Sequence, residues 1–270
     1  MRSFDEELKV WDDWFRSGEP GPDYLIVQEL QRMAEAFGAQ RFVDAYTARY
    51  KPNIWQLHYF AQAGLPVDKD VFYAHLDGTE EGDVYYAALG LASMGDSRGS
   101  EVLMQFADGS HPLCEHVDGW TDVVPTLVEM VNPNAWHLLE DILLTHHGNV
   151  PEHILSLFER HFPVTDAFFL YFWVLAGVAV DREPLCTALS SGDSLDAERA
   201  AFALAFLGDD RGFAALEAII ADEEHPSFFG IVGPELPRKL GQMADPRAQQ
   251  MLQDIRNETY GDLPKILCGF

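Results

Sequence analysis

Positive charge is what this sequence has least of. Its 270 residues carry 18 Lys and Arg against 44 Asp and Glu, so 18 − 44 gives a formal charge of −26. Such a balance repels phosphate backbones and anionic headgroups, which excludes nucleic acid and membranes as partners and favours a cationic protein or plain solubility. Cysteine is scarce as well. Cys114, Cys186 and Cys268 lie far apart with no CxxC, which excludes a disulfide framework and makes a reducing, cytoplasmic location the expectation. No apolar run is long enough to cross a bilayer; the longest, Ala167 to Val180, is bounded by Asp166 and Asp181 and reads as a helix buried on most sides. The N-terminus lacks the unbroken apolar core of a signal peptide and instead places Phe4, Leu8, Trp11 and Phe15 on one helix face. Strand signal is weak, because alternating runs are short and β-branched residues are dispersed. A Gly-rich phosphate loop, GxSxG and a Cys/His nucleophile pairing are all missing, so no catalytic residue and no cofactor is expected.

The stretch Glu198 to Ala221, ERAAFALAFLGDDRGFAALEAIIA, shows what is present. Phe202, Ala203, Phe206 and Leu207 recur at helical spacing, with alanines between them that permit close helix approach. Gly208 can end that helix in the left-handed conformation, and Asp209 or Asp210 can cap the next. Arg211, in a first turn where its charge opposes the helix dipole, is expected to pair with an aspartate. Ala214, Leu216, Ile219 and Ile220 carry the second apolar face. The turn recurs as Gly95-Asp96-Ser97-Arg98-Gly99 and, weakened, as Ala244-Asp245-Pro246-Arg247-Ala248. Asn132-Pro133, Asp181-Arg182 and Gly38-Ala39-Gln40-Arg41 are further copies. Asp96 to Asn132 and Asp209 to Asp245 are each 36 residues, whereas Asp181 to Asp209 is 28; the period is irregular. The segment from Ala107 to Pro112 also matches Ala221 to Pro226, which implies an internal duplication.

Units of two helices at a period near 36 are the signature of an α-solenoid. LGDDRGFAALEAII and MGDSRGSEVL resemble HEAT repeats, of the short HEAT-like type also found in phycobilin lyases, over Gly82 to Ile255 with gaps. The resemblance implies an all-α, HEAT-like, somewhat irregular solenoid, a right-handed superhelix of antiparallel helix pairs. One domain spans 1–270, with irregular N-terminal helices over 1–82, repeats over 83–255 and a tail over 256–270. It says little about function.

Histidine clusters are the nearest thing to chemistry. His111 to Asp118 gathers two histidines, Cys114, Glu115 and Asp118. Its copy near His225 loses Cys114 and His116 to Phe228 and Gly230, so it reads as a turn leading into a helix, not as a metal site. Asp108 with His111 and Asp222 with His225 read as local caps. His146, His147, Glu152 and His153 read as an exposed loop, and His137, Glu140 and Asp141 as an exposed helix face. No histidine precedes a glutamate, which excludes the di-iron pattern of HEAT-like deoxyhypusine hydroxylases.

What remains is acidic surface. Second helices carry Glu101, Glu140, Asp141, Glu217 and Asp254, and loops carry Asp77, Glu80, Glu81, Asp83, Asp108, Asp222, Glu223 and Glu224. If these converge they form an acidic face for a basic protein, with Trp136, Phe228 or Phe229 as anchors. The expected protein-binding residues are Glu101, Trp136, Glu140, Asp141, Glu217, Asp222, Glu223, Glu224 and Phe228, on a chain monomeric when free. The expected function is sequestration of a basic partner, in particular neutralisation of a bacterial toxin domain by an immunity protein. A phycobilin-lyase-like enzyme or chaperone and a general HEAT scaffold stand as alternatives.

Overall fold

A computed structural model describes residues 3–17, 23–130, 132–191, 193–222, 225, 235–257 and 259–260. These are all-helical, with no strand among the described residues. They fall into two compact units, Met1–Leu139 and Glu140–Phe270. The division runs through the helix Pro133–Thr145.

In the first unit, α1 (Phe4–Ser17), α2 (Asp23–Phe37) and α3 (Ala39–Tyr50) precede α4 (Ile54–Gln62), α5 (Lys69–Leu76), α6 (Glu81–Ser93) and α7 (Ser97–Ala107). A π turn at Gly119–Val123 then leads into α8 (Val124–Glu129), and α9 (Pro133–Thr145) follows. Helix α6 packs on α4, α5 and α7. As the apolar spacing of α1 predicts, Leu8 and Trp11 are buried, with Phe4 packed against the same core; the side chain of Phe15 lies outside the described part. Around them Phe42, Tyr46 and Phe60 form an aromatic centre with ring centroids 5.3 to 6.0 Å apart.

The second unit holds α10 (Glu152–His161), α11 (Ala167–Leu175), α12 (Glu183–Ala188), α13 (Ser194–Phe206), α14 (Asp210–Ile220), α15 (Glu235–Gln242) and α16 (Pro246–Arg256). Helix α13 packs on α11, α12 and α14, the pattern that α6 follows. The run Ala167 to Val180 is buried as expected over most of α11, but the helix stops at Leu175. Gly177, at φ 80°, turns the chain out of it, because a Cβ there would be strained. On α14, Phe213 is buried and the expected Ala214 is exposed.

One offset relates the helix starts. Ile54 and Ala167, Glu81 and Ser194, Ser97 and Asp210, and Pro133 and Pro246 are each 113 residues apart (167 − 54, 194 − 81, 210 − 97, 246 − 133). The cause is local. Asp68, Asp96, Asn132, Asp166, Asp181, Asp209 and Asp245 each accept, through a side-chain oxygen, the backbone N–H two residues on, at 2.9 to 3.3 Å. Asn53 takes the N–H three residues on, at 2.9 Å. Each bond satisfies a donor that a helix start leaves free. Paired by the offset, the caps are 53 with 166, 68 with 181, 96 with 209 and 132 with 245.

The two glycines of the recurrent turn have different tasks. Gly95 and Gly208 adopt φ 70° and 66°, ending the helices before them. Gly99 and Gly212 lie where the next helix crosses the previous one. A Cβ on Gly212 would meet Ala205 N at 2.4 Å, and one on Gly99 would meet Ala88 O at 2.6 Å. Gly212→Ala is therefore expected to cost about 1 to 3 kcal/mol by overpacking. At Gly241, where nothing lies within 4 Å, the same change leaves stability unchanged or raises it. Thermal midpoints of the two variants check this.

His58 is buried in α4, stacked on Tyr86 at 4.9 Å and bonded to the carbonyl of Trp55. Burial holds its imidazole neutral, down from 6.5 to about 3. The unfolded chain therefore binds a proton that the folded one refuses, and stability present above pH 6.5 is lost as pH falls from 6.5 towards 3. His58→Phe is expected to flatten the pH dependence of the denaturant midpoint in that window, removing at most about 1.4 kcal/mol per pH unit of slope.

Candidate functional site

Five cations, Lys69, Arg98, Arg182, Arg211 and Arg247, are bound at helix turns. Arg211 grips Asp209 with two bonds, Nε to Oδ1 at 2.9 Å and Nη2 to Oδ2 at 2.8 Å, the pairing its place in the turn predicts. From the preceding turn, Arg182 reaches the same carboxylate at 3.1 Å and the carbonyl of Leu207 at 3.2 Å. From the following turn, Arg247 holds Asp245 and Asp210 and donates to the carbonyl of Gly208 at 2.9 Å. The first unit repeats the scheme with weaker donors. Lys69 binds Asp96 at 3.1 Å, and Asn132 and Asn134 donate to Ser93 O at 3.0 and 3.1 Å. These bonds depress the acids. Tyr73 above all, with Lys69, holds Asp96 at about 2, and Arg211 holds Asp209 far below the carboxylate range.

A second group of charges is buried. Glu140 (5 % exposed) and Lys239 (7 %) meet at 2.6 Å, and Tyr171 donates its hydroxyl to Glu140 at 2.8 Å. Burial alone would raise the Glu140 carboxyl, but Lys239 and Tyr171 outweigh it and hold the group below its ordinary value. Glu198 beside them is raised, chiefly by burial. Arg199 stacks on Phe168 at 4.0 Å, and its Nε and Nη1 are buried without a hydrogen bond. Four helices supply this cluster: α9, α11, α13 and α15.

The fold itself does not demand charge at that register. Subtracting 113 from Tyr171, Glu198 and Arg199 gives His58, Tyr85 and Tyr86. There the first unit has the His58–Tyr86 stack and a Tyr85 hydroxyl 3.2 Å from Thr126 Oγ1. One framework thus carries neutral aromatics in one unit and ion pairs in the other.

Several expected binding residues are relocated by these contacts. Glu140 is no surface acid, since α9 turns it inward to Lys239, and Asp141 is half-buried against Arg238. His137, Glu140 and Asp141 therefore share no exposed face: His137 alone is exposed. Trp136 is half-buried. Glu101, Glu217 and Asp222 are exposed as expected. Glu223, Glu224, Phe228 and Phe229 lie outside the described residues, as does Cys268. The loop from His111 to Asp118 is organised by an acid from another helix. Glu81 accepts the backbone N–H groups of Glu115, His116 and Val117 at 2.8 to 2.9 Å, and those bonds, that of Val117 first, lower its carboxyl to about 2. Within the loop His111 stacks on Phe106 at 4.3 Å, and Cys114 Sγ points to Val117 O at 3.0 Å. Asp108 accepts from Ser110 N at 2.9 Å, the local cap expected of it. His147, read as an exposed loop residue, is half-buried and bonds to Leu175 O at 2.8 Å.

The sequence gives no warning of a cleft in the second unit. It has a volume of about 590 Å³ and is lined by Val164, Trp173, Val178, Val180, Asp181 and Pro184 among others. The early end of α11 at Leu175 opens it, by sending Val178 to Asp181 back along the helix as loop.

Compared with protein-family models, curated proteins and solved structures, the chain matches none of them. No helix among the described residues is long and apolar enough to cross a membrane.

Lys239 tests the buried cluster. Lys239→Met leaves Glu140 buried and unpaired and is expected to cost about 3 to 5 kcal/mol. Adding Glu140→Gln should recover most of that loss. Chemical denaturation of both single variants and the double variant decides, and losses that simply add would show the pair to be uncoupled.

Proposed function

We propose that this chain is a non-catalytic binding protein that sequesters a basic protein partner through uncompensated acidic surface. The carrying observation is the disposition of charge. In the second unit Arg182, Arg211, Arg238, Lys239 and Arg247 are each paired with a carboxylate of their own chain. Acids outnumber cations 44 to 18, and Asp83, Glu101, Asp166 and Glu217 are among those exposed. Acids in such excess raise the encounter rate of a cationic protein and are screened by salt. The capped helices and close glycine crossings support reading the framework as a HEAT-like solenoid of paired helices, the class of scaffold that presents side chains to another protein. The most concrete version is an immunity protein covering the basic, nucleic-acid-facing surface of a toxin domain.

Affinity capture from the native host, followed by mass spectrometry, is expected to return a strongly basic protein. Its association rate with this chain should fall on the order of tenfold or more between low and high salt. Glu101→Lys and Glu217→Lys together should slow association at low salt and leave the thermal midpoint nearly unchanged. A rate indifferent to both salt and charge reversal would sink the electrostatic reading.

A further inference from the structure

The cleft between the Val164–Thr165 turn and the Val178–Asp181 loop combines an aromatic floor, aliphatic walls and a carboxylate at its rim. Trp173 is fixed there: its Nε1 donates to Phe162 O at 3.0 Å, and its ring stands edge-on to Phe158 at 5.5 Å. Val164, 59 % exposed, keeps an apolar wall in solvent. Asp181 is exposed and forms no ion pair among the described residues. Its Oδ1 accepts only the backbone N–H of Glu183, at 3.1 Å, which leaves Oδ2 open. The adjacent cation, Arg182, is committed to Asp209. At the register 113 residues earlier, the position of Val164 is Lys51, so the first unit carries a cation of its own where the second has a valine.

We propose that this cleft seats an arginine side chain of the basic partner, a reading that rests on the proposed function and gives it a location. An arginine stem is apolar over three methylenes and suits the walls formed by Val164, Val178, Val180 and Pro184. Its planar guanidinium pairs with a carboxylate through a two-bond fork, and Asp181 stands at the rim, while Trp173, 6 % exposed, gives the cleft only a small part of its ring. Lysine, a compact and strongly hydrated charge, cannot form that fork. The cleft is the anchor, and the dispersed acids steer the approach.

The test uses N-acetyl-arginine amide as probe and N-acetyl-citrulline amide as its neutral isostere, with methyl NMR of the full chain as readout. Arginine amide is expected to shift the Val164, Val178 and Val180 methyls saturably, and citrulline amide to bind on the order of tenfold more weakly. Asp181→Asn keeps an acceptor for the Glu183 N–H, so the cap survives while the charge is lost. It should lower arginine affinity by a similar factor, and Val178→Trp, which fills the cleft, should abolish binding. Equal binding of citrulline, an Asp181→Asn protein that binds as the original does, shifts spread evenly over distant acids, or no shift at all would overturn the proposal. A basic partner that binds Asp181→Asn with unchanged lifetime also overturns it and leaves the proposed function standing. Saturable arginine binding without salt-sensitive capture of any basic protein would remove the proposed function and leave the cleft as an arginine site.

Discussion

A single hydrogen bond, from a backbone N–H to the side-chain oxygen of an Asp or Asn two residues earlier, sets where helix after helix begins in this protein. Each such bond satisfies a donor that the helix itself cannot. It also fixes the residue at which the helix begins, and with it the register in which the next apolar face meets its neighbours. At Asp96 and Asp209 the helix before ends on a left-handed glycine, and the helix after crosses it at a second glycine. Cap, stop and crossing are three physical demands met within five residues. Gly, Asp, Arg and Gly therefore return at four of the five positions in these two joints.

The caps also govern the electrostatics. A carboxylate at a helix start is favoured by the dipole and by the free N–H groups, so a chain assembled from such joints accumulates acids. Arg98, Arg182, Arg211 and Arg247 bind those carboxylates, and Arg182 and Arg247 also reach, from one turn to the next, the carbonyls of Leu207 and Gly208. Neutralisation at these joints is thus local.

The 113-residue offset separates what the framework requires from what it tolerates. The capping role, the glycines Gly95 and Gly208 or Gly99 and Gly212, and small residues such as Ala87 and Ala200 or Ala92 and Ala205 are kept at both registers, because close helix contact and helix starts allow few alternatives. The interior beside them does not stay the same. His58, Tyr85 and Tyr86 in one unit stand where Tyr171, Glu198 and Arg199 stand in the other. A buried ion pair costs desolvation that aromatic packing avoids. Its presence beside Arg199, where the other unit has the stacked His58 and Tyr86, marks a departure from the shared plan, as does the valine-walled cleft of that unit.

The helical class, the recurrent turn, the left-handed Gly208, the pairing of Arg211 with an aspartate and the burial of Leu8 and Trp11 were all legible in the sequence. Each depends on residues within a few positions of one another. The full offset was only half legible, since Asn53, Asp68 and Asp166 cap without the Gly-Asp-x-Arg-Gly signature that marks Asp96 and Asp209. Glu140 could not be placed from sequence. A glutamate three residues from an exposed histidine looks solvent-facing until Lys239, ninety-nine residues later (239 − 140), supplies the charge that makes burial tolerable. The cleft is a tertiary product in the same way. Its floor, walls and acid look like core, loop and cap when taken singly, and only the early end of α11, set by Gly177, brings them to one opening. Local hydrogen-bonding needs and apolar period are written along the chain. Burial of charge and the shape of a cavity depend on which distant segments the fold brings together.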